Sequence, residues 1–373
     1  MTKKTASKKI AEKKTAKNSF YKCCKTKNQV FNSTEINKLF KQVSQERVEL
    51  IANQITQYIQ TNVPNHFNKR EGLADYRTNP YVLMTTASVL NLDDADRFAN
   101  FLFNIKFYMA LETSFGKSIE STFVGQYPIM MQNRWIDPLE KIAESTLLEG
   151  LSDEEKAVER SQSVWREIDK SVVVSDHRYL TTIKSGPNTI NDTQVAAMTD
   201  AIAGHYKTWI KETNKRYPSV KKLDIVIGLT YGTDKTTNNK ENQILVKLLK
   251  KGFVEEDREH LPGVLIDSDT RSVRIYRRVG RDFWAFIGNP QKPNNSQFVF
   301  LEILLGLAKA LAVGVEAASI EEGINKKMRD LSAALIKLQL PQDRLPKWMS
   351  ESFDKDELFW FTTAMSAFFD EGI

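Results

Sequence analysis

Residues 223–229 read Leu-Asp-Ile-Val-Ile-Gly-Leu, a nearly unbroken apolar run. A strand that keeps one face in water alternates apolar with polar residues. A short run that barely alternates marks a strand buried on both faces, which needs cover above and below. The flanking text supplies it. Residues 165–174 and 178–184 read as two strands joined at Ser175-Asp176-His177, and a helix from about Asp192 to Thr213 follows the loop Ser185-Gly186-Pro187-Asn188. Beyond the central run come a helix near 244–249, strands near 264–266 and 272–278, and a helical stretch over 297–369. The expected fold class is α/β, a central sheet flanked by helices.

A helical region precedes the sheet. Ser33 can cap a helix along which Ile36, Leu39, Phe40, Val43, Val48, Ile51, Ile55 and Ile59 recur at helical spacing, and Asn62-Val63-Pro64 is its expected end. Asn79-Pro80 opens a second helix, and Asp93 or Asp94 caps a third carrying Phe98, Phe101, Leu102 and Ile105. The organisation expected is a Lys-rich tail over 1–30, a helical region over 31–150, an α/β core over 151–310 and a helical C-terminal region over 311–373.

Charge is spread unevenly. Lys and Arg number 53 against 47 Asp and Glu, a net of +6, yet residues 1–28 hold ten Lys and one acid and contribute +9. The remainder of the chain is therefore −3. The tail is polar and self-repelling, the mark of disorder. It reads either as a solubilising arm or as a non-specific polyanion arm, since each Lys that neutralises a phosphate releases counterions. No stretch approaches the ~20 apolar residues of a bilayer span, and no apolar segment follows the N-terminal lysines as in a secretory signal. Cys23 and Cys24 are adjacent, so they neither staple the fold nor supply the spaced ligands of a zinc site. A soluble, reduced, cytoplasmic protein with no membrane partner is the expectation.

Several chemistries drop out. Gly116-Lys117-Ser118 lacks the earlier glycine of a phosphate loop, and Gly228 to Thr236 has the wrong spacing for one. The four histidines, 66, 177, 205 and 260, show no paired metal spacing, and no nucleophile elbow of the G-x-S-x-G kind exists. What remains is Glu167-Ile168-Asp169 on one strand and Thr182-Ile183-Lys184 on the next. Residues two apart share a strand face, so pairing the strands brings Asp169 beside Lys184. A carboxylate that holds Mg²⁺, with a lysine beside it, is what phosphodiester hydrolysis needs. The metal polarises a phosphate oxygen and acidifies a bound water, and the ammonium offsets charge growing on the phosphorane. A structural salt bridge in a hairpin would satisfy the same letters.

The surrounding letters are more specific. Tyr179 to Gln194 contains Ile183-Lys-Ser-Gly-Pro-Asn-Thr-Ile-Asn191, which resembles the signature of PmeII-type type II restriction endonucleases, within the PD-(D/E)xK nuclease superfamily. Asn79-Pro80-Tyr81, Thr113-Ser114-Phe115-Gly116, Tyr231-Gly232 and Gly280-Arg281-Asp282-Phe283-Trp284 resemble further elements of that family in the same order, over roughly 78–310. The resemblance implies a restriction-endonuclease-like mixed sheet with large helical N- and C-terminal additions. It implies Asp169 as the metal-binding aspartate and Lys184 as the motif lysine, with Mg²⁺ as cofactor. Thr182 stands in the catalytic set where the superfamily has an acid. A neutral hydroxyl adds no charge at a metal, so Glu120, on a preceding helix, is the first choice for a second carboxylate and Glu167 the second.

Contacts to DNA are expected from Ser185, Asn188, Asn191 and Gln194, which follow the site directly. Loop and N-cap chemistry for the next helix is the equal alternative. Five arginines fall within 271–281, and on a strand Arg274, Tyr276 and Arg278 share a face, suited to phosphates or guanine edges unless that face is simply solvated. The function implied is hydrolysis of double-stranded DNA by a homodimer at a short, GC-rich near-palindrome. Two alternatives stay open: a DNA-binding protein of the same fold that has lost hydrolysis, and a structure-selective repair or recombination nuclease.

Overall fold

Among the described residues the apolar run forms the third strand, in chain order, of a six-stranded sheet. The computed structural model describes residues 34–68, 76, 79–119, 124, 127, 133–138, 155, 158, 161–186, 189–233, 236–258, 261–268, 271–312, 317–337 and 346–365. The Lys-rich tail with both cysteines, Glu120 and Asn188 lie outside them. The strands are β1 Lys170–Val174, β2 His177–Lys184, β3 Lys222–Leu229, β4 Val254–Arg258, β5 Leu261–Asp267 and β6 Ser272–Val279, in the sheet order β1-β2-β3-β6-β5-β4. β3 is parallel to both neighbours, β2 and β6, while β1 and β2, β4 and β5, and β5 and β6 pair antiparallel. Every β3 residue from Leu223 onward is buried.

Alternation along the strands then sorts two cores. Leu180, Leu223, Ile225, Ile227, Leu229, Val273 and Ile275 face the helices α5 (Asp192–Arg216) and α6 (Lys240–Leu249), against Val195, Met198, Ile202, Trp209, Ile244 and Leu248. On the opposite face Val172, Tyr179, Ile183, Val226 and Tyr276 join a larger core to which most of the remaining helices contribute. Those are α1 Thr34–Phe40, α2 Gln45–Asn68, α3 Pro80–Leu90 and α4 Ala95–Ser118 before the sheet. After it come α7 Arg281–Gly288, α8 Val299–Ala312, α9 Ala317–Lys337, α10 Lys347–Ser352 and α11 Lys355–Met365. No helix among the described residues is long and apolar enough to cross a membrane.

Two local expectations are corrected. The single helix foreseen over 33–62 breaks into α1 and α2 between residues 41 and 44. Ser44 caps α2 through its hydroxyl (3.3 Å from the Arg47 amide), and its own amide donates to Glu302 Oε1 at 2.8 Å. Glu302, fully buried on α8, also takes Arg47 Nε (2.8 Å), Arg47 Nη2 (2.7 Å) and the Tyr127 hydroxyl (2.9 Å). The partner that fixes this break therefore lies more than 250 residues away in sequence. Second, α2 runs through Pro64 to Asn68, so the proline does not end it; with no N–H it leaves one helical carbonyl without its usual backbone donor. The acidic Val-Glu-Glu-Asp-Arg of β4, for which no element was expected, forms an edge strand, where charge discourages further pairing. The helix expected after Asn79-Pro80 is present, with Asn79 Oδ1 accepting from the Tyr81 amide (3.0 Å), and of the two caps offered, Asp93 or Asp94, it is Asp94 Oδ1 that accepts the Arg97 amide (2.8 Å).

Gly228 lets α7 lie directly on the sheet. A Cβ there would stand 2.2 Å from the Phe283 ring and 2.9 Å from the Thr182 carbonyl oxygen. Gly228→Ala is expected to cost about 1–3 kcal/mol by overpacking, read as a lowered thermal midpoint; an unchanged midpoint would show that Phe283 moves aside freely.

Candidate active site

The β1–β2 hairpin positions the predicted pair. The chain over 164–167 turns instead of running extended, because Trp165 is buried, stacks on Trp209 (centroids 5.8 Å apart) and accepts the Ile168 amide on its carbonyl at 2.8 Å. This corrects the strand foreseen from 165 and with it the placement of Glu167, which shares no strand face with Asp169. The Glu167 carboxylate lies 3.7 Å from Arg166 Nε. Asp169 extends the ladder one residue beyond β1: its amide donates to the Thr181 carbonyl at 2.9 Å, and the β1–β2 register sets it opposite Thr182.

The structure brings Asp169 and Lys184 together. Asp169 Oδ2 accepts the Ile183 amide at 2.6 Å and lies 4.0 Å from Lys184 Nζ. Both side chains are mostly covered, at 11% and 21% exposure. A carboxylate held by a backbone amide cannot swing away, and a charge-assisted bond of this length is strong. Thr182 lies between them on the same face, 1% exposed, with no protein hydrogen-bond partner for Oγ1. Lys184 ends β2, so the pair stands at the carboxyl ends of the parallel strands β2, β3 and β6, where open α/β sheets bind ligands.

A buried acid that the sequence reading passed over lies on this face. Thr182, Ile227 and Arg277 form one row across β2, β3 and β6. Glu241, in the first turn of α6, is fully buried with a carboxylate oxygen 3.8 Å from Arg277 Nη1 and no protein hydrogen bond to either oxygen. An acid in a first helical turn is ordinary, so nothing in the letters marks it. The start of α6 is anchored beside the loop that follows Lys184, since Asn238 Nδ2 donates to the Ile190 carbonyl (3.0 Å) and the Lys240 ammonium pairs with Asp192. That pairing holds the Asp192 carboxyl below its usual range.

The expected DNA contacts divide. Ser185 is half-buried, and its carbonyl accepts the Thr230 hydroxyl at 2.8 Å. Asn191 and Gln194 form a capping box on α5: Asn191 Oδ1 accepts the Gln194 amide and Gln194 Oε1 accepts the Asn191 amide, both at 2.9 Å. Their side-chain carbonyls serve the helix start, the N-cap alternative. Arg274 and Arg278 do share a face with Tyr276, but that face is turned into the larger core. Arg274 is 5% exposed, with Nε 2.6 Å from Glu256 Oε2 and Nη2 donating to the Leu261 carbonyl at 2.6 Å. Arg278 pairs with Asp282 at 2.7 Å and packs over Phe286. Both guanidiniums flank the buried Tyr276 ring, whose phenol is pushed well above its usual range, first by burial and then by Asp224. The structure thus corrects the solvent-facing ladder expected of these arginines: acids from β4 and α7 claim them. Nearby, His177 Nε2 lies 3.1 Å from Asp224 Oδ1 and stacks on Tyr179, an internal pairing at the hairpin tip.

Residues 140–305 match the family model described as Type II restriction endonuclease EcoO109I. No curated protein matches the chain. The matched segment contains all six strands, α5 to α7 and both members of the Asp169–Lys184 pair. The mixed sheet flanked by helices is a restriction-endonuclease-like α/β fold, and the match supports type II restriction nuclease activity at the level of the family.

The capping box makes a prediction that a DNA contact would not. Asn191→Ala should lower stability by about 1 kcal/mol, within the range for lost N-caps, while leaving affinity for duplex DNA within about twofold. A large affinity loss with an unchanged thermal midpoint would reassign Asn191 to the DNA.

Proposed function

We propose that the protein is a type II restriction endonuclease of PmeII type that hydrolyses double-stranded DNA with Mg²⁺. It acts as a cytoplasmic homodimer at a short, GC-rich near-palindrome. The observation that carries this reading is the 4.0 Å approach of Lys184 Nζ to Asp169 Oδ2 at the strand ends, inside the matched segment. Two-fold symmetric subunits suit a two-fold symmetric site, which motivates the dimer.

The residues fit a hard divalent cation held by few protein ligands. Among the described residues no group of three or more His, Cys, Asp or Glu could hold a metal, but Mg²⁺ is commonly bound through one or two carboxylates, with water and substrate phosphate completing the shell. Asp169 would hold it, fixed in place by the Ile183 amide. When bound, the ion supplies Lewis-acid polarisation of a phosphate oxygen and acidifies a water. The chain's own part is positional and electrostatic. Lys184 places an ammonium where negative charge grows on the phosphorane, in a partly covered site where that charge is weakly screened. Thr182 contributes a buried hydroxyl and no charge.

That neutral Thr182 favours one competing reading, a DNA-binding protein of this fold without hydrolysis. A digest separates them. Incubation of phage DNA with Mg²⁺ should give discrete bands whose sequenced ends share one motif; tight binding with no cutting in any divalent metal would establish the non-hydrolytic reading. Lys184→Ala should reduce cleavage by about 10²–10³-fold, the range for a lost transition-state donor, with duplex affinity retained. Cleavage at the original rate would mean that the lysine is misassigned.

A further inference from the structure

α3 reads Pro-Tyr-Val-Leu-Met-Thr-Thr-Ala-Ser-Val-Leu, and among the described α-helices it is the one with no charged residue. It lies outside the matched segment 140–305. Only Leu83 and Ala87, one turn apart, are buried; they join the larger core, and α11 packs against the helix. At 3.6 residues per turn the opposite face carries Tyr81, Val82, Thr85, Ser88 and Val89, all exposed. Tyr81 is 74%, Val82 59% and Val89 77% exposed.

Both ends of the helix are fixed by neutral groups. Asn79 Oδ1 accepts the Tyr81 amide at 3.0 Å and the Val82 amide at 3.3 Å. At the far end the Asn91 amide donates to the Ser88 carbonyl at 3.2 Å and the Leu92 amide to the Ala87 carbonyl at 2.9 Å. In the middle of the open face Thr85 donates its hydroxyl back to the Tyr81 carbonyl at 2.9 Å, so covering it strands no polar hydrogen.

An open apolar face marks an interaction surface, and the lack of charge says which partner suits it. Across a two-fold axis a patch meets its own copy, so a charge on it would approach a like charge. Other helices that expose large apolar side chains carry charge: Leu304 and Leu305 share α8 with Lys309, and Trp348 shares α10 with Lys347 and Glu351. We infer that α3 is the two-fold contact between two copies of this chain, its open face packed antiparallel against the same face of the second. The axis passes at Thr85, midway between Tyr81 and Val89, so Tyr81 of each copy meets Val89 of the other. Thr85 and Ser88 are small enough to let the helices approach. The inference rests on the nuclease reading for its choice of a second copy and deepens that reading by naming the surface. One helix supplies the apolar centre of such an interface, inside a polar rim.

The test uses the full chain carrying Cys23→Ser and Cys24→Ser, with the dimer dissociation constant read by sedimentation equilibrium. Val82→Asp and Val89→Asp should each raise it by about 30-fold or more, the size of a lost hot-spot contact, with far-ultraviolet circular dichroism unchanged. Adding Tyr81→Lys to Val89→Asp should recover part of the lost affinity, since each new ammonium then faces the other copy's new carboxylate. Thr85→Cys under mild oxidation should give a cross-linked dimer, whereas Ser352→Cys, exposed on α10, should not. Should an aspartate variant fail to fold, the cross-linking yields decide. Three results would each overturn the inference while leaving hydrolysis intact: wild-type association in both aspartate variants, equal cross-linking from positions 85 and 352, or a wild-type chain that cuts DNA as a monomer, which would leave the face to a different protein. A wild-type chain that neither associates nor cuts would overturn the inference and the nuclease reading together.

Discussion

β3 has no face in water, and the rest of the arrangement follows from that. A strand buried on both sides must satisfy its backbone through neighbouring strands and its polar side chains through protein partners, since water reaches neither. β2 and β6 take up the backbone. The one acid on β3, Asp224, meets His177 from the start of β2. With both neighbours parallel to β3, the carboxyl ends of three strands come out at one edge. Lys184, Thr230 and Gly280 therefore gather there without any one of them having to be specified by its own contacts.

The Asp169–Lys184 approach depends on a smaller device at that edge. Asp169 lies one residue outside β1, where strand pairing would ordinarily fray. Two bonds to β2 hold it: its amide to the Thr181 carbonyl and its carboxylate to the Ile183 amide. The second bond makes β2 itself the scaffold for the carboxylate, one residue before the strand position that carries Lys184. Burial raises the strength of the interaction, because few water dipoles screen it.

How much of this was legible in the letters depended on the range of the interactions involved. The apolar run over 223–229 announced β3 because burial on both faces is a local compositional fact. The Asp169–Lys184 pairing was legible because an antiparallel hairpin with a short turn leaves few registers. Glu167 was misplaced because Trp165 and Trp209, 44 residues apart, pull the chain out of line. The α1–α2 break was hidden for the same reason, since its cause is Glu302 on α8. Strand periodicity correctly put Arg274, Tyr276 and Arg278 on one face. It could not say that this face was covered, because Glu256 and Asp282 belong to elements whose docking no alternation reveals.

The pairing of these arginines changes how a polyanion must be held. Arg47 meets Glu302, Arg178 meets Glu212, Arg274 meets Glu256, Arg277 meets Glu241 and Arg278 meets Asp282. Each arginine is mostly removed from water, and where the carboxylate is covered too, as at Glu302, Glu212, Glu256 and Glu241, breaking the pair to reach a phosphate would leave that acid uncompensated, at a cost of roughly 3–5 kcal/mol. The part of the chain beyond residue 28 is in any case −3. On the nuclease reading, DNA affinity then cannot come from a broad basic strand face. On that reading it has to be built at the strand-end edge, from a divalent ion on Asp169 and the polar loop residues beside it, with the +9 of residues 1–28 as the separate, salt-sensitive contribution. On that reading affinity and chemistry are concentrated in one place, so the residues flanking Lys184 would matter more to recognition than the arginine count does.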